Sequence, residues 1–160
     1  MIHRVVPAIL TFSLFAFSGL EVGAPLPEFR ARSSTDAVIS SADLIGKAVV
    51  IEVWASYCTV CRAQFPILRQ LDRDYRERGL RIVGVSMDTD IAAFRAAMQA
   101  ENPSWPQICE GKGAAGDLAQ QLQLDHTPGF YLVDRAGKIV ARDLLGEALR
   151  SAVTRLVEAQ

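Results

Sequence analysis

Between Lys47 and Ala55 the chain reads Ala48-Val49-Val50-Ile51-Glu52-Val53-Trp54, apolar at odd and even positions alike. Side chains alternate between the two faces of a strand, so this pattern needs cover on both sides. That is the condition of a central strand in a sheet packed by helices. Leu80 to Met87 repeats the pattern. Between the two runs a helix is predicted over about Cys58 to Arg78, with Val60, Ile67, Leu68, Leu71 and Tyr75 inward and Pro66 as a kink. Strand, helix and strand in this order make a parallel crossover.

The flanking segments extend this frame. Residues 25–46 read as extended, with Pro25 and Pro27 as helix breakers and Ser33 to Asp36 as a turn. Asp88, Thr89 or Asp90 can cap a helix carrying Ile91, Phe94 and Met98 on one face. Asn102 to Gly113 is irregular apart from a short strand near Gln107 to Cys109, and Ala114 to Leu122 suits a short helix. Phe130 to Asp134 and Ile139 to Leu145 form a hairpin whose loop puts Gly137 where positive φ is needed. A last helix begins near Glu147, with Leu149, Val153, Leu156 and Val157 inward. The prediction is one α/β domain over residues 25–160, a mixed central sheet with helices on both faces.

The first 24 residues are assigned differently. Met1-Ile2-His3-Arg4 is weakly basic, and Val5 to Leu20 carries no charge. Small residues follow at Val22-Gly23-Ala24. This is the layout of a signal peptide, with an N-terminal membrane anchor as the other reading. The apolar run is short of the about 20 residues a spanning helix needs. Export is therefore expected, to the periplasm or the extracytoplasmic face of a membrane. The net charge of −1 over 160 residues offers no basic field for a phosphate backbone, so no nucleic-acid partner is expected.

Three cysteines are too few for a disulfide scaffold, but Cys58-Thr59-Val60-Cys61 stands where a buried strand ends and a helix begins. First-turn N–H groups lack helical partners, and with the helix dipole they would stabilise a Cys58 thiolate. Its pKa is expected to fall from about 8.5 into the range of about 3.5–7.5. Cys61, nearly one turn later, is placed to resolve a mixed disulfide formed at Cys58. Two other readings of the pair stand beside redox exchange. It could be half of a metal site, although no second pair and no suitably spaced His accompanies it. It could be a structural bridge, although so short a loop constrains the unfolded chain little. Glu52 is a separate signal. A carboxylate in such a strand is costly to bury unless neutral or paired, and desolvation would raise its pKa.

Trp54-Ala55-Ser56-Tyr57-Cys58-Thr59-Val60-Cys61-Arg62, followed by Pro66, resembles the active-site stretch of the thioredoxin superfamily. Thr127-Pro128, just before Phe130-Tyr131-Leu132-Val133-Asp134, resembles that family's cis-proline signature. The signal-like start, Pro25-Leu26-Pro27-Glu28-Phe29 and the segment with Trp105-Pro106-Gln107 are most similar to the exported TlpA/ResA-like, redoxin-type branch.

The resemblance implies a thioredoxin-like fold and a protein-disulfide oxidoreductase with a reversible Cys58–Cys61 pair. Cys58 would be the nucleophile and Cys61 the resolving thiol. Glu52 matches the family's buried acid and would accept the Cys61 proton. Pro128 would be the cis residue, and the Thr127 backbone would pair with an extended substrate segment. Trp54 and Tyr57 would pack around the pair and, with Thr127 and Pro128, belong to the substrate-binding residues, Tyr57 as part of the substrate surface. The branch favours a reductant of protein disulfides, for example in cytochrome c maturation, recharged by a membrane electron donor. No cofactor beyond the redox-active disulfide is expected, and the protein would act as a monomer.

Other functions compete with this one. A thiol peroxidase of redoxin type would carry Thr three residues before its reactive cysteine, where this chain has Ala55. A copper-handling protein could use Cys58, Cys61 and His126. His126 otherwise reads as a solvated loop residue, and Cys109 as a small buried apolar one.

Overall fold

The computed structural model describes residues 20–159. β1 (Arg30–Arg32) and β2 (Val38–Ser40) form a small antiparallel hairpin. The main sheet is built from β3 (Ala48–Trp54), β4 (Leu80–Ser86), β5 (Gln107–Cys109), β6 (Gly129–Val133) and β7 (Ile139–Arg142), in the order β5-β4-β3-β6-β7. Its helices are α1 (Thr59–Arg62), α2 (Phe65–Tyr75), α3 (Ile91–Glu101), α4 (Asp117–Gln121) and α5 (Gly146–Glu158). This is the predicted mixed sheet flanked by helices.

β3 lies at the centre with all seven residues buried, as its two-sided apolar pattern requires. It pairs parallel with β4 and antiparallel with β6. Both crossovers, β3 to β4 and β4 to β5, step in the same direction, so right-handed connections put α2 and α3 on one face. Trp54 records this: its ring lies 5.2 Å from Phe65 of α2 and 6.0 Å from Phe94 of α3, between centroids. α5 packs beside α2, where the Tyr75 and Thr154 hydroxyls meet at 3.3 Å. Leu20, Phe29, Leu44 and Leu118 join the same core from the N-terminal segment and α4. Gly137 turns the β6–β7 hairpin at φ 79°, the conformation expected of it.

Four details differ from the sequence reading. The helix predicted over 58–78 is two helices, α1 and α2, broken at Ala63–Gln64. Pro66 has no N–H to give Arg62, and its ring crowds that carbonyl, so the ladder fails one turn before the proline. Val60 is 51% exposed rather than inward, because α1 is a single turn beyond the C-terminal end of the central strand. The α2 face that is buried carries Phe65, Leu68, Leu71 and Asp72. Residues 25–46 are not simply extended but include the β1–β2 hairpin and a 3-10 turn at Ser41–Leu44.

Gly23 and Ala24, within the predicted leader, also pair with the sheet. The Gly23 N–H donates to the Ile139 carbonyl at 2.8 Å, and the Ile139 N–H to Ala24 at 2.9 Å, so this segment continues the sheet edge. The predicted signal or anchor over 1–24 lies mostly outside the described residues. Among the described residues no helix is long and apolar enough to cross a membrane.

Of the three possible caps for α3, Asp90 serves: its Oδ1 accepts from the Ala92 and Ala93 N–H groups at 2.8 and 3.1 Å. Asp90→Ala is expected to lower stability by about 1 kcal/mol in denaturant unfolding, with disulfide exchange unchanged.

Candidate active site

The C-terminal end of β3 leads through Ala55-Ser56-Tyr57 into Cys58, the N-cap of α1. Cys58 and Cys61 are joined as a disulfide with Cα atoms 5.3 Å apart. The Cys61 N–H also points at the Cys58 sulfur, 3.2 Å away, so one first-turn donor is in place for a thiolate there. Cys58 is 9% exposed and Cys61 is fully buried. A group approaching from solvent therefore meets the first cysteine before the second. Tyr57, 72% exposed, stands beside the pair as apolar surface.

Two buried polar side chains hold this turn. Asp88, just past β4, accepts from the Ser56 N–H at 2.9 Å, the Ser56 hydroxyl at 2.5 Å and the Ser86 hydroxyl at 2.7 Å. The sequence reading offered Asp88 only as a helix cap; its carboxylate instead ties the active-site loop to β4. Gln64 secures the other side, donating to the Val60 carbonyl at 3.4 Å and accepting from the Gly146 N–H at 2.8 Å. Its position at the α1–α2 break leaves its side chain facing the start of α5, a relation no sequence spacing reveals.

Glu52 is fully buried on the same strand, six residues before Cys58. Its Oε2 accepts the Trp105 indole N–H at 3.0 Å, while Oε1 has no partner. Burial pushes its pKa from 4.5 up to about 8; the Trp105 indole and the Gln107 amide pull the other way, and Glu101 adds a little repulsion. Trp105 and Gln107 were noted in the sequence as part of a distinctive segment, without a role. The sequence could have flagged them, since a buried acid needs donors and both side chains carry one.

The Thr127-Pro128 bond is cis. Gly129 pairs with Val53, so Pro128 falls one step further along, at the sheet end that carries the cysteine pair. Thr127 and Pro128 are both half-buried. Trp54 does not belong with the expected substrate surface. It is fully buried, edge-on to Phe65, with its indole N–H donating to Gln107 Oε1 at 2.7 Å. The parity that makes β3 a two-sided strand points Trp54 into the core.

His126 is half-exposed between Asp125 and Asp143, with ring nitrogens 2.6 and 3.2 Å from their oxygens. The Asp125 hydrogen bond raises its pKa above the ordinary histidine value. Among the described residues, no three His, Cys, Asp or Glu side chains gather as a metal cluster would require. Cys109 is a half-buried free thiol at the end of β5 rather than a fully buried one.

The family description Redoxin matches residues 21–156. The chain belongs to the Redoxin family. It is 37% identical over 122 residues to the thiol-disulfide oxidoreductase ResA of Oceanobacillus iheyensis, covering 74% of this chain and 62% of that protein. It is 31% identical over 128 residues to the thiol:disulfide interchange protein DsbE of Pseudomonas aeruginosa, covering 78% and 67%. Among solved structures, the thioredoxin domain of a thiol-disulfide oxidoreductase from Bacteroides vulgatus superposes with a TM-score of 0.78 at 28% identity, over 87% of this chain and 99% of that one. With its Cys58–Cys61 pair, this Redoxin-family chain is a ResA/DsbE-like thiol–disulfide oxidoreductase of thioredoxin-like fold.

The buried acid links stability to pH. An unfolded glutamate titrates near 4.5 and the native one at about 8, so the native state binds more protons between these values. Stability is then full below about pH 4.5 and falls as pH rises toward 8. At about 1.4 kcal/mol per unit, the loss is on the order of 5 kcal/mol. Glu52→Gln, which cannot ionise, is expected to abolish this slope in urea unfolding of the oxidised protein from pH 4 to 9.

Proposed function

We propose that this chain exchanges disulfides with protein substrates outside the cytoplasm, working as a monomeric reductant. The observation that carries the reading is the unequal access to the two cysteines: Cys58 keeps 9% of its surface exposed, while Cys61 is fully buried. In the reduced protein the Cys58 thiolate attacks one sulfur of a substrate disulfide and expels the other as a thiolate. A mixed disulfide links Cys58 to the substrate. Glu52 then takes the proton of Cys61, whose thiolate attacks Cys58 Sγ and releases the second substrate sulfur. The substrate gains two electrons and the Cys58–Cys61 pair loses them.

Several features support the individual roles. The Cys61 N–H aimed at Cys58 favours its ionised form. A carboxyl titrating near 8 is matched to a thiol as proton acceptor. Tyr57, exposed next to the pair, and half-buried Thr127, at the sheet end that carries the pair, suit an extended substrate segment, and Pro128 brings no N–H to compete there. Export rests on the charge-free run from Val5 to Leu20 behind a basic start. Recharging would then fall to a dithiol donor in the membrane. Proteins whose cysteines must stay reduced for later metal or haem attachment, as in cytochrome c maturation, are the substrate class that fits a reductant so placed.

Cys61→Ala is expected to accumulate stable mixed disulfides through Cys58, identified by mass spectrometry. Trapping through Cys109 instead would defeat the assignment. Glu52→Gln is expected to slow resolution by Cys61 by roughly 100-fold while leaving the first attack by Cys58 nearly unchanged, in stopped-flow reduction of a model disulfide. Equal slowing of both steps would remove Glu52 from the mechanism.

A further inference from the structure

Glu52 and Gln107 belong to one row across the sheet. Phe130, Glu52, Gly84 and Gln107 are successive register partners on β6, β3, β4 and β5. Partners in such a row direct their side chains to the same face. Gly84, between the acid and the amide, has no side chain to keep them apart. A Cβ placed there would stand 2.1 Å from Gln107 Oε1 and 2.4 Å from Nε2. The Gln107 side chain therefore lies over β4, occupying the space that any residue but glycine would fill.

The orientation of that amide is determined by Trp54. Its indole N–H is a donor only, and it is satisfied by Gln107 Oε1 at 2.7 Å. Nε2 is the end left over. Among the described residues, two buried side-chain polar atoms lack a hydrogen-bond partner, and they are Gln107 Nε2 and Glu52 Oε1. One is a donor and the other an acceptor, in the same row, with only a glycine between them. Leaving both unpaired in a dry sheet face is costly, and the cost disappears if they meet.

We propose that Gln107 is a positioning residue for the proton of Glu52: Nε2 donates to Oε1 when the carboxyl is ionised and releases it when Oε1 takes the proton. The inference rests on Glu52 as the proton acceptor of the resolving step. Trp105 occupies Oε2, so Oε1 is the oxygen that changes state. As the proton passes from Cys61 Sγ to Oε1, the amide loses its acceptor, and it regains it when the proton leaves. The carboxyl stays in place throughout.

The two donors are themselves fixed. Ser104 is held by the Asp72 carboxylate and by Arg76, which reaches the Ser104 carbonyl at 2.9 Å. The Gln107 carbonyl accepts the Ser34 N–H at 2.7 Å. The charged group that acts on Glu52 from the neighbouring helix is Glu101, itself paired with Arg62 and Arg69 at 2.8 and 3.3 Å.

The experiment follows the Glu52 side-chain carboxyl by 13C NMR across pH in the oxidised full chain, its signal assigned by its loss in Glu52→Gln. Gln107→Met keeps the length of the side chain and removes both polar atoms. Gly84→Ala keeps every polar group and displaces the amide, and it serves where the first variant does not fold. Each is expected to raise the Glu52 midpoint by about one unit, about tenfold in proton affinity. The pH profile of the Cys61 step should move by the same amount. In a Glu52→Gln background, Gln107→Met should leave that profile unmoved. An unchanged Glu52 midpoint in either folded variant overturns the proposal. A shifted midpoint with an unmoved resolution profile upholds the contact and overturns the reading of Glu52 as proton acceptor.

Discussion

A carboxyl group sealed into the central strand constrains everything around it. Glu52 stands where neither face of the sheet meets water, and an ionised group there loses its hydration without a counter-charge. The protein answers with donors rather than cations. Trp105 supplies an indole N–H, Gln107 lies alongside, and the charge that acts on Glu52 is another acid, Glu101. A salt bridge would have held Glu52 permanently ionised; neutral donors leave it able to take and give a proton near the pH at which thiols do the same.

The same constraint explains the path of the chain between α3 and α4. A bare parallel crossover would not need a strand outside β4, yet β5 is there and carries Gln107 into the row of Glu52. The preceding turn carries Trp105 over Phe65, with ring centroids 5.6 Å apart. Trp54, Phe65, Phe94 and Trp105 then form one aromatic group beneath the cysteine turn. The turn itself is held from two directions, by Asp88 beyond β4 and by Gln64 against α5.

Much of this was legible before any coordinates. The two-sided apolar strands at 48–54 and 80–86, the hairpin turn at Gly137 and the final helix follow from period and turn chemistry, which are local properties. So does Cys58 at a strand-to-helix junction. The illegible parts have physical causes of a different kind. Periodicity reads 58–78 as one unbroken helix with Val60 inward, whereas Pro66 disrupts the ladder one turn upstream. Trp54 reads as a substrate-binding residue because it borders the active-site turn, although strand parity sends it inward. Gly23 and Ala24 read as leader in the sequence because small residues look alike whether they precede a domain or edge its sheet.

By itself, the order of residues determined the layered α/β frame, the spacing of the two sulfurs and the presence of an acid that burial would leave neutral. These depend on contacts within a few residues or on a repeating pattern. Only the tertiary structure decided which cysteine keeps exposed surface, that Asp88 and Gln64 brace the turn, and that Gly84 clears the space in which Gln107 approaches Glu52. Those relations join residues 23 to 82 positions apart through strand register and helix packing, and register is a property of the assembled sheet that no single strand carries.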